Sequence, residues 1–474
     1  MKISISTPRK LQGTVLVVTL TVVAVAAILL GSYLIMVQTQ SAAVSRSQTW
    51  NSAIAVTEAG LEEAMATINK GAPAIMSSPW TWTNGLSSDG WSGFSGNVTT
   101  ITRYVYGSNY YTATIDISSG SPVISSIGTV AYTSIPWVFS SAAQPFLATA
   151  GMGVTNSVTM GRKVQVTTTL NPLFTMGLVC KSNINANGNG VAFDSYDSSN
   201  PLYSTGGQYD STKRKAGGDV GTDSALVNTV SLGNANIYGT LHTGPGSQSS
   251  TAQIGPNGAV GDLNWNANDS GIETGFWKYD MNVNFLDVPA PSIVGLMPGS
   301  GNVSGTSYNY VLSNGPYQMS SLSGSVAVTG TNVVLWVTGS VSFSGNSGGI
   351  YVAPGASLQM YVGQTSGSGT SVSLAGKAGF NANGTPNQLQ FYGLPSVTSF
   401  DLHGNSAINA VCYAPEADCT AGGGGNNTQD YQGAGVFKSL SFNGHYNFHY
   451  DEHLKIVGPS RGWIATGWKE VSYP

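Results

Sequence analysis

The amino-terminal part of the chain divides into a basic polar start and a long apolar run. Residues 14–37 carry no charged side chain, and more than ~18 apolar residues are enough to cross a bilayer as one helix. The preceding segment carries Lys2, Arg9 and Lys10 and no acidic residue. The positive-inside rule therefore places the amino terminus in the cytoplasm and the residues after Val37 outside it. The run is too long for a secretory signal peptide, whose apolar region has only ~7–15 residues.

The apolar run continues without a break into a second helical pattern over Gln38–Asn69. Apolar positions such as Ile54, Leu61 and Ile68 recur at helical spacing, no proline interrupts the segment, and a glycine and a proline follow its end. We therefore expect one helix that starts in the membrane, over residues 14–37, and extends beyond it, over residues 38–70.

The start of this helix resembles the amino terminus of type IV pilin-like proteins. The resemblance rests on a basic leader, residues 1–13, that ends in Gly13, and on an apolar helix that begins at Thr14. The stretch AVTEAGLEEAMATIN (Ala55–Asn69) is similar to the helix continuation of PilX-type minor pilins. The resemblance implies that a prepilin peptidase cuts between Gly13 and Thr14. It also implies that the helix stays in the inner membrane of a Gram-negative cell before assembly. The helix then packs against other pilin-like subunits in a filament in the periplasm or at the cell surface.

One position departs from the pilin pattern. Pilins usually carry Glu at the fifth position after the cut, where it meets the terminal ammonium of a neighbouring subunit, and this chain has Val18 there. The departure favours a minor or tip subunit over the repeating subunit of a filament. A plain single-span membrane anchor remains the alternative, because charge and periodicity do not distinguish the two.

Four runs of alternating apolar and polar residues follow the helix. They are Thr99–Tyr106, Tyr110–Ile117, Ser125–Tyr132 and Arg162–Leu170. A period of two, with turn residues between the runs, predicts an antiparallel sheet. A long helix beside such a sheet is similar to the head of minor pilins, so we assign residues 71–171 to a pilin-like β domain.

Helical patterning disappears after residue 171. Short apolar strands alternate there with Gly, Asn or Ser, as in Gly324–Gly363, and Gly and Asn suit the corners of a coil because they accept positive φ. The pattern predicts a right-handed β-helix, or β-solenoid, over residues 172–450, followed by a C-terminal tail over 451–474. A β-sandwich remains the alternative, since hairpins use the same turn residues. Gly177–Asn189 and Phe442–Leu454 resemble parts of the secreted region of PilX-like surface proteins.

Composition narrows the function classes. Only 8% of the residues are charged and the net charge is −4, so the chain lacks the cations that an electrostatic nucleic-acid binder needs. With 41% hydrophobic residues there is enough apolar surface to bury a core, which opposes disorder.

The chain has three cysteines. Cys412 and Cys419 flank the short polar stretch APEAD and precede a run of glycines, which predicts a disulfide-closed loop outside the membrane. Such a loop would add ~2–3 kcal/mol to stability by constraining the unfolded chain. Cys180 lies in an apolar run and is expected to be a small buried residue.

The densest polar cluster lies near the C-terminus, in HYNFHYDEH (His445–His453). In a strand, His445, His449, Asp451 and His453 point to one side, and imidazoles with a carboxylate are ligands for Zn²⁺. Alternate residues of one strand lie ~6.5 Å apart, however, too far for all of them to reach one ion. A polar, solvent-facing row is the alternative to a metal site.

Acidic residues in glycine- and serine-rich loops raise an enzymatic alternative. Polysaccharide-degrading solenoid enzymes use paired carboxylates or bind Ca²⁺ through them, and Asp194, Asp197, Asp210, Asp219 and Asp223 lie in such loops. No acidic calcium-loop motif, phosphate-binding G-x-x-x-x-G-K-[ST] loop or H-E-x-x-H helix is present. We therefore expect no cofactor.

These patterns predict a mainly β protein with one long N-terminal α-helix and a structural role. We expect a pilin-like subunit of a type IV pilus-like or type II secretion-like filament, without enzymatic activity. Its β-solenoid head would serve adhesion or assembly, with surface glycans as candidate ligands and no nucleic acid. The alternatives are a membrane-anchored β-helical enzyme that degrades polysaccharides and a surface carbohydrate-binding protein held by an uncleaved helix.

Overall fold

The computed structural model describes most of the chain, in two compact units. The described residues are 12–70, 89–93, 97–119, 121–133, 157–188, 190–375, 377, 379–403, 407–422, 429–444 and 446–472. The first unit falls within Met1–Asn69, Trp82–Thr169 and Ile464–Pro474, and the second within Lys70–Thr81 and Leu170–Trp463.

The first unit begins with helix α1, Gln12–Lys70. It is a single helix of 59 residues, which confirms that the apolar run and the pattern after it form one helix. At ~1.5 Å per residue the uncharged segment alone is ~36 Å long, against ~30 Å for the hydrocarbon core of a bilayer.

An antiparallel sheet follows α1 in the first unit. Its strands are β1 (Val98–Tyr106), β2 (Asn109–Asp116), β3 (Val123–Thr133) and β4 (Ser157–Pro172). Each pairs antiparallel with the next, so the four predicted strands and their antiparallel arrangement are confirmed.

The described residues of the second unit form mainly short strands, together with two short α-helices and two 3₁₀ turns (Ser211–Lys213 and Pro386–Gln388). The helices are α2 (Leu263–Asn268) and α3 (Leu454–Val457). The strands, in chain order, are β5 (Leu178–Cys180), β6 (Ile184–Asn185), β7 (Ala192–Tyr196), β8 (Val220–Thr222), β9 (Val230–Gly233), β10 (Asn236–Tyr238), β11 (Leu241–His242), β12 (Ala252–Ile254), β13 (Ala259–Gly261), β14 (Gly271–Ile272), β15 (Trp277–Lys278), β16 (Gly299–Val303), β17 (Thr306–Leu312), β18 (Pro316–Met319), β19 (Leu322–Ser323), β20 (Ser325–Val328), β21 (Val333–Val337), β22 (Val341–Phe343), β23 (Gly349–Val352), β24 (Leu358–Val362), β25 (Thr370–Leu374), β26 (Leu389–Gly393), β27 (Val397–His403), β28 (Ile408–Gly422), β29 (Gln429–Asn443) and β30 (Tyr446–Asp451).

These strands stack in three rows. In stacking order, the first row runs β16, β17, β20, β23, the bridge residue Phe380, β28, β29, β30, β7, β10, β13 and β14. The second runs β18, β21, β24, β26, β28, β29, β5, β8, β11 and β15. The third runs β19, β22, β25, β27, β28, β29, β6, β9 and β12. Apart from the β16–β17 hairpin, the strand pairings within these rows are parallel, so the antiparallel pairing that a β-sandwich requires is wrong for this unit.

Apolar side chains fill the space between the rows. The first row contributes a ladder of rings: Tyr431 and Phe448 lie 5.0 Å apart between centroids, and Phe448 and Phe193 lie 6.4 Å apart. All three are buried. The neighbouring positions of the same strands point away from this core, because successive side chains of a strand alternate between faces.

The chain enters and leaves the second unit at neighbouring points. The backbone amide of Leu173 donates to the carbonyl of Pro459 at 2.8 Å. After that point the last strand, β31 (Ser460–Val471), returns to lie beside β4 in the sheet. Residues 173–459 of the second unit are thus inserted between two adjacent strands of the first unit's sheet. Residues 460–471 of the predicted C-terminal tail over 451–474 form this strand.

Candidate functional site: the apolar helix and its sheet interface

The first half of α1 is an uncovered apolar surface. Every large apolar side chain from Val15 to Val37 is exposed, between 41% at Val37 and 71% at Leu20. Among the described residues, α1 is the helix that is long and apolar enough to cross a membrane. Because apolar residues occupy all sides of this segment, it requires lipid or other apolar helices around it.

The second half of α1 packs on the sheet. Ala53, Ala64 and Ile68 are fully buried and Leu61 is nearly so. These positions recur at helical spacing and form one face, whereas Glu58 and Glu62 are exposed. One continuous helix therefore has an uncovered apolar half and a half that is fixed to a folded sheet.

Two glycines allow the helix and sheet to approach closely. A Cβ atom added to Gly128 of β3 would lie 2.4 Å from the backbone nitrogen of Thr57 and 2.6 Å from the carbonyl oxygen of Ala53. A Cβ atom added to Gly60 of α1 would lie 2.3 Å from the hydroxyl of Ser126. Neither site has room for a larger residue without displacement of its neighbour.

The hydroxyl of Thr57 links the two elements at this close approach. It donates to the carbonyl of Ala53 at 2.7 Å within the helix and lies 3.1 Å from the carbonyl of Arg162 in β4. It accepts from the backbone amide of Gly128 at 3.1 Å. Thr57 is fully buried, so these bonds satisfy polar groups that water does not reach.

A carboxylate at the edge of the interface connects α1 to two strands. Glu63 accepts hydrogen bonds from the Tyr111 hydroxyl and from Nε of Arg103, the latter at 2.7 Å. Burial of Tyr111 and, to a smaller extent, its hydrogen bond to Glu63 raise the pKa of Tyr111 to about 12. The tyrosine therefore stays a neutral donor over the whole physiological range.

The predicted processing site lies at the start of α1. The backbone of Gly13 and Thr14 is helical, and the leader up to residue 11 lies outside the described residues. Val18 is 59% exposed on the uncovered half of the helix. Cleavage between Gly13 and Thr14 stays a prediction.

The predicted disulfide between Cys412 and Cys419 is wrong in this structure, where both are free, buried thiols. They do not flank an exposed loop. Both lie in β28, where Cys412 belongs to the second row, opposite Gly435, and Cys419 to the third, opposite Leu440. The residues between them turn the corner from one row to the next. Burial raises the pKa of Cys412 to about 12, which keeps the thiol protonated, and Cys180 is buried as expected.

The predicted metal ligands do not converge. His445 lies outside the described residues. Asp451 is buried and accepts from the backbone amides of Ser198 at 3.0 Å and His453 at 3.2 Å, while His453 immediately precedes α3. In the part of the chain that the structure describes, no three His, Cys, Asp or Glu residues are arranged to hold a metal ion.

His449 instead belongs to a buried ion-pair cluster. Its Nδ1 lies 2.5 Å from Asp194 Oδ1 and its Nε2 lies 3.2 Å from Asp430 Oδ1. The ring of Tyr209 stacks on the imidazole with centroids 3.5 Å apart, and its hydroxyl donates to Asp194 at 2.7 Å. Burial lowers the pKa of His449, but the hydrogen bonds and charges of Asp194 and Asp430 outweigh it and raise the pKa above its ordinary value. The imidazole of His449 thus lies between the buried carboxylate of Asp194 and the half-exposed carboxylate of Asp430.

Comparison with known proteins gives limited matches. Residues 297–457 match a family model described as a domain of unknown function (DUF7305). That range extends from just before β16 to the end of α3, within the second unit. No curated protein matches the chain. The competence-associated pilin ComZ from Thermus thermophilus is similar over 88% of this chain and 96% of its own, at 11% identity and a TM-score of 0.21. A likeness at that score is too weak to assign a fold or a role.

Several residues of this site were not singled out by their sequence pattern. Gly60 lies in a helical run and Gly128 in a strand run, and an isolated glycine in either element often marks close backbone approach. That signal was available. The pairing of His449 with Asp194 was not, because the two residues are 255 positions apart.

Proposed function

We propose that this chain is a pilin-like structural protein that inserts into the inner membrane and then joins a type IV pilus-like or type II secretion-like filament as a minor or tip subunit. The observation that carries the proposal is α1. One half exposes apolar side chains on all sides and the other half is fixed to an antiparallel sheet by Thr57, Gly60 and Gly128.

The uncovered half suits both environments that the proposal requires. Soluble monomers rarely expose an apolar patch of more than a few hundred Å², so lipid or neighbouring helices must cover it. The side chains that would face lipid before assembly can face the apolar helices of other subunits afterwards. Val18, in place of the usual acidic residue, supports a minor or tip position.

The second unit is the head that this subunit would present outside the cytoplasm. Its three rows of parallel strands support a β-solenoid, for which we propose a right-handed coil. Within the described residues, β4 and β31 each run between the first unit and the head. A head held at both ends of its chain suits a display role in adhesion or assembly, with surface glycans as ligands.

We also propose that the head has no enzymatic activity. Polysaccharide hydrolysis needs two carboxyl groups ~5–10 Å apart beside the bound sugar. Asp194 is buried, and its carboxylate oxygens are hydrogen-bonded to His449 and Tyr209. Asp197 and Asp210 accept hydrogen bonds from Ser199 and Thr212 of their own loop.

Filament isolation combined with amino-terminal sequencing tests the proposal. We expect the protein to co-purify with filaments and to begin at Thr14. A Gly13→Val variant, which places a branched side chain at the cut, should stay full-length and remain in the membrane, whereas the neighbouring Gln12→Ala variant should be processed normally. A chain that begins at Met1 and is absent from filaments would instead support a plain membrane anchor.

A further inference from the structure

The outer side of the first row carries a shallow cleft of about 120 Å³. Its walls include Tyr308 of β17, Tyr351 of β23, Ser347, and the amide side chains Asn381 and Asn383. Gly349 and Gly379 also line the cleft. Because glycine has no side chain, these two residues leave space in its wall. The cleft is in the second unit and far in sequence from the apolar helix.

The two tyrosines place two nearly parallel rings in the wall of the cleft. Their ring centroids lie 6.1 Å apart and the ring planes differ by only 24°. Both are half-buried, which fixes the rings while leaving part of each accessible. Tyrosine combines an apolar ring face with a polar hydroxyl, so these rings fit a ligand with C–H groups on one face and hydroxyls at its edge.

The cleft lies at the end of a buried polar row. Parallel register aligns Asn409, Gln432, His449 and Asp194 on successive strands of the first row. The bridges of Phe380 with Ile350 and Ile408 extend this alignment to Asn381 and Tyr351.

A covering loop, Asp197–Gly217, lies over part of this polar row. Its Gln208 bonds to Asn409 at 2.8 Å and to the carbonyl of Gly384 at 2.9 Å, and its Tyr209 stacks on His449. The cleft at Tyr351 therefore lies beyond the part of the polar row that the loop covers.

Asn381 provides a fixed polar group at this position. It is 1% exposed, and its Nδ2 donates to the carbonyls of Thr385 at 2.8 Å and Asn409 at 3.1 Å. Its Oδ1 has no hydrogen-bond partner among the described residues. This oxygen is buried beside Gly384, whose added Cβ would lie 2.0 Å from it, so Asn381 shapes the wall of the cleft, and the exposed Ser347 and Asn383 are the polar groups that a ligand reaches.

We propose that this cleft binds one neutral sugar residue at the end of a surface glycan. Tyr308 and Tyr351 contact its apolar face, and Ser347 and Asn383 bond its hydroxyls. No charged side chain lines the cleft in the described part of the chain, so a neutral sugar fits better than an acidic one. The inference deepens the adhesion role proposed above and rests on it for its biological use, but the binding itself does not require a filament.

The size of the cleft sets the expected affinity. Ligand pockets that bury a drug-sized molecule measure ~300–1,000 Å³, so this one holds a single ring. At ~0.3 kcal/mol per non-hydrogen atom, a hexose reaches a Kd on the order of 1 mM. High avidity would then come from many heads on one surface.

Saturation-transfer NMR on the full chain tests the proposal. The protein is kept in a zwitterionic detergent, because sugar-based detergents would compete, and is titrated with glucose, galactose and N-acetylglucosamine up to about 50 mM, well above the expected Kd. At least one neutral sugar should give a saturable signal. Galacturonate, the acidic counterpart, should bind at least about tenfold more weakly.

Variants assign the binding to the cleft. Tyr351→Ala should weaken binding at least tenfold, and Tyr351→Phe should retain most of it because the ring remains. Tyr106→Ala removes an exposed tyrosine of the first unit, 83% exposed, and should bind as the unmodified chain does. Ser347→Trp fills the cleft from an exposed position and should abolish binding even if Tyr351→Ala fails to fold.

Three results would overturn the proposal: no saturable signal with any neutral sugar, unchanged binding in Ser347→Trp, or preference for galacturonate. None of them bears on filament membership, which is measured separately by co-purification and the mature amino terminus. Failure of the glycan site and failure of the pilin-like role are therefore distinguishable.

Discussion

Gly128→Ala tests whether the close approach of α1 to the sheet positions the helix. The added Cβ would lie 2.4 Å from the Thr57 nitrogen, whereas an ordinary contact is at least 3.4 Å, so helix and strand must separate by about 1 Å. The 3.1 Å bond from the Gly128 amide to the Thr57 hydroxyl would then exceed hydrogen-bonding distance. Overpacking costs ~1–3 kcal/mol and a buried unpaired amide ~1–3 kcal/mol. We expect a loss of about 3 kcal/mol, equivalent to roughly a hundredfold.

Hydrogen exchange measured by mass spectrometry reports this loss locally. Peptides from Ala53–Ile68 should exchange about a hundredfold faster in Gly128→Ala, while peptides from β30 in the second unit should not change. Gly31→Ala is the matched control, because nothing lies within 4 Å of its added Cβ and alanine favours a helix by ~1 kcal/mol. If Gly128→Ala exchanges like the control over Ala53–Ile68, the helix is not held by this contact.

Three further predictions concern the membrane segment, the ion-pair cluster and the thiols. Ala26→Asp, in the uncovered half of α1, should reduce membrane insertion by ~3 kcal/mol or roughly a hundredfold, measured by carbonate extraction, whereas Ala43→Asp beyond the apolar run should insert normally. His449→Phe keeps a ring beneath Tyr209 but removes the imidazole partner of the buried Asp194, which keeps the Tyr209 hydroxyl as a donor, and should cost ~3 kcal/mol in urea unfolding. Because the folded pKa of His449 is raised, its contribution is fully present below about pH 6.5 and is lost as the pH rises through the raised value. A difference between the two chains that grew with pH would contradict this assignment. The three cysteines should resist iodoacetamide until urea unfolds the chain and then all react, and an intact mass 2 Da below the fully reduced mass, as a disulfide gives, would contradict free thiols.

The sequence by itself determined the helix and strands in which apolar positions recur at a regular spacing. The uncharged run and its continuation were sufficient to predict α1, because backbone hydrogen bonds within a helix connect near neighbours. Alternation was sufficient to predict the four antiparallel strands, and turn residues between short apolar runs indicated the stacked strands of the second unit.

The tertiary structure decided which distant residues meet. The last strand, β31, pairs with β4, which precedes the whole inserted unit in the chain. The sequence analysis did not predict β31 as a strand, because the partner that stabilises it is distant in sequence. Cys412 and Cys419 are close in sequence but belong to different rows, which only the stacking of β28 determines. His449 contacts Asp194 and Tyr209 instead of the other predicted metal ligands, because parallel pairing places β30 beside β7, which is far from it in the chain. Residue types and periods specify local elements, but register and burial, which set the chemistry of each polar group, arise only when those elements pack.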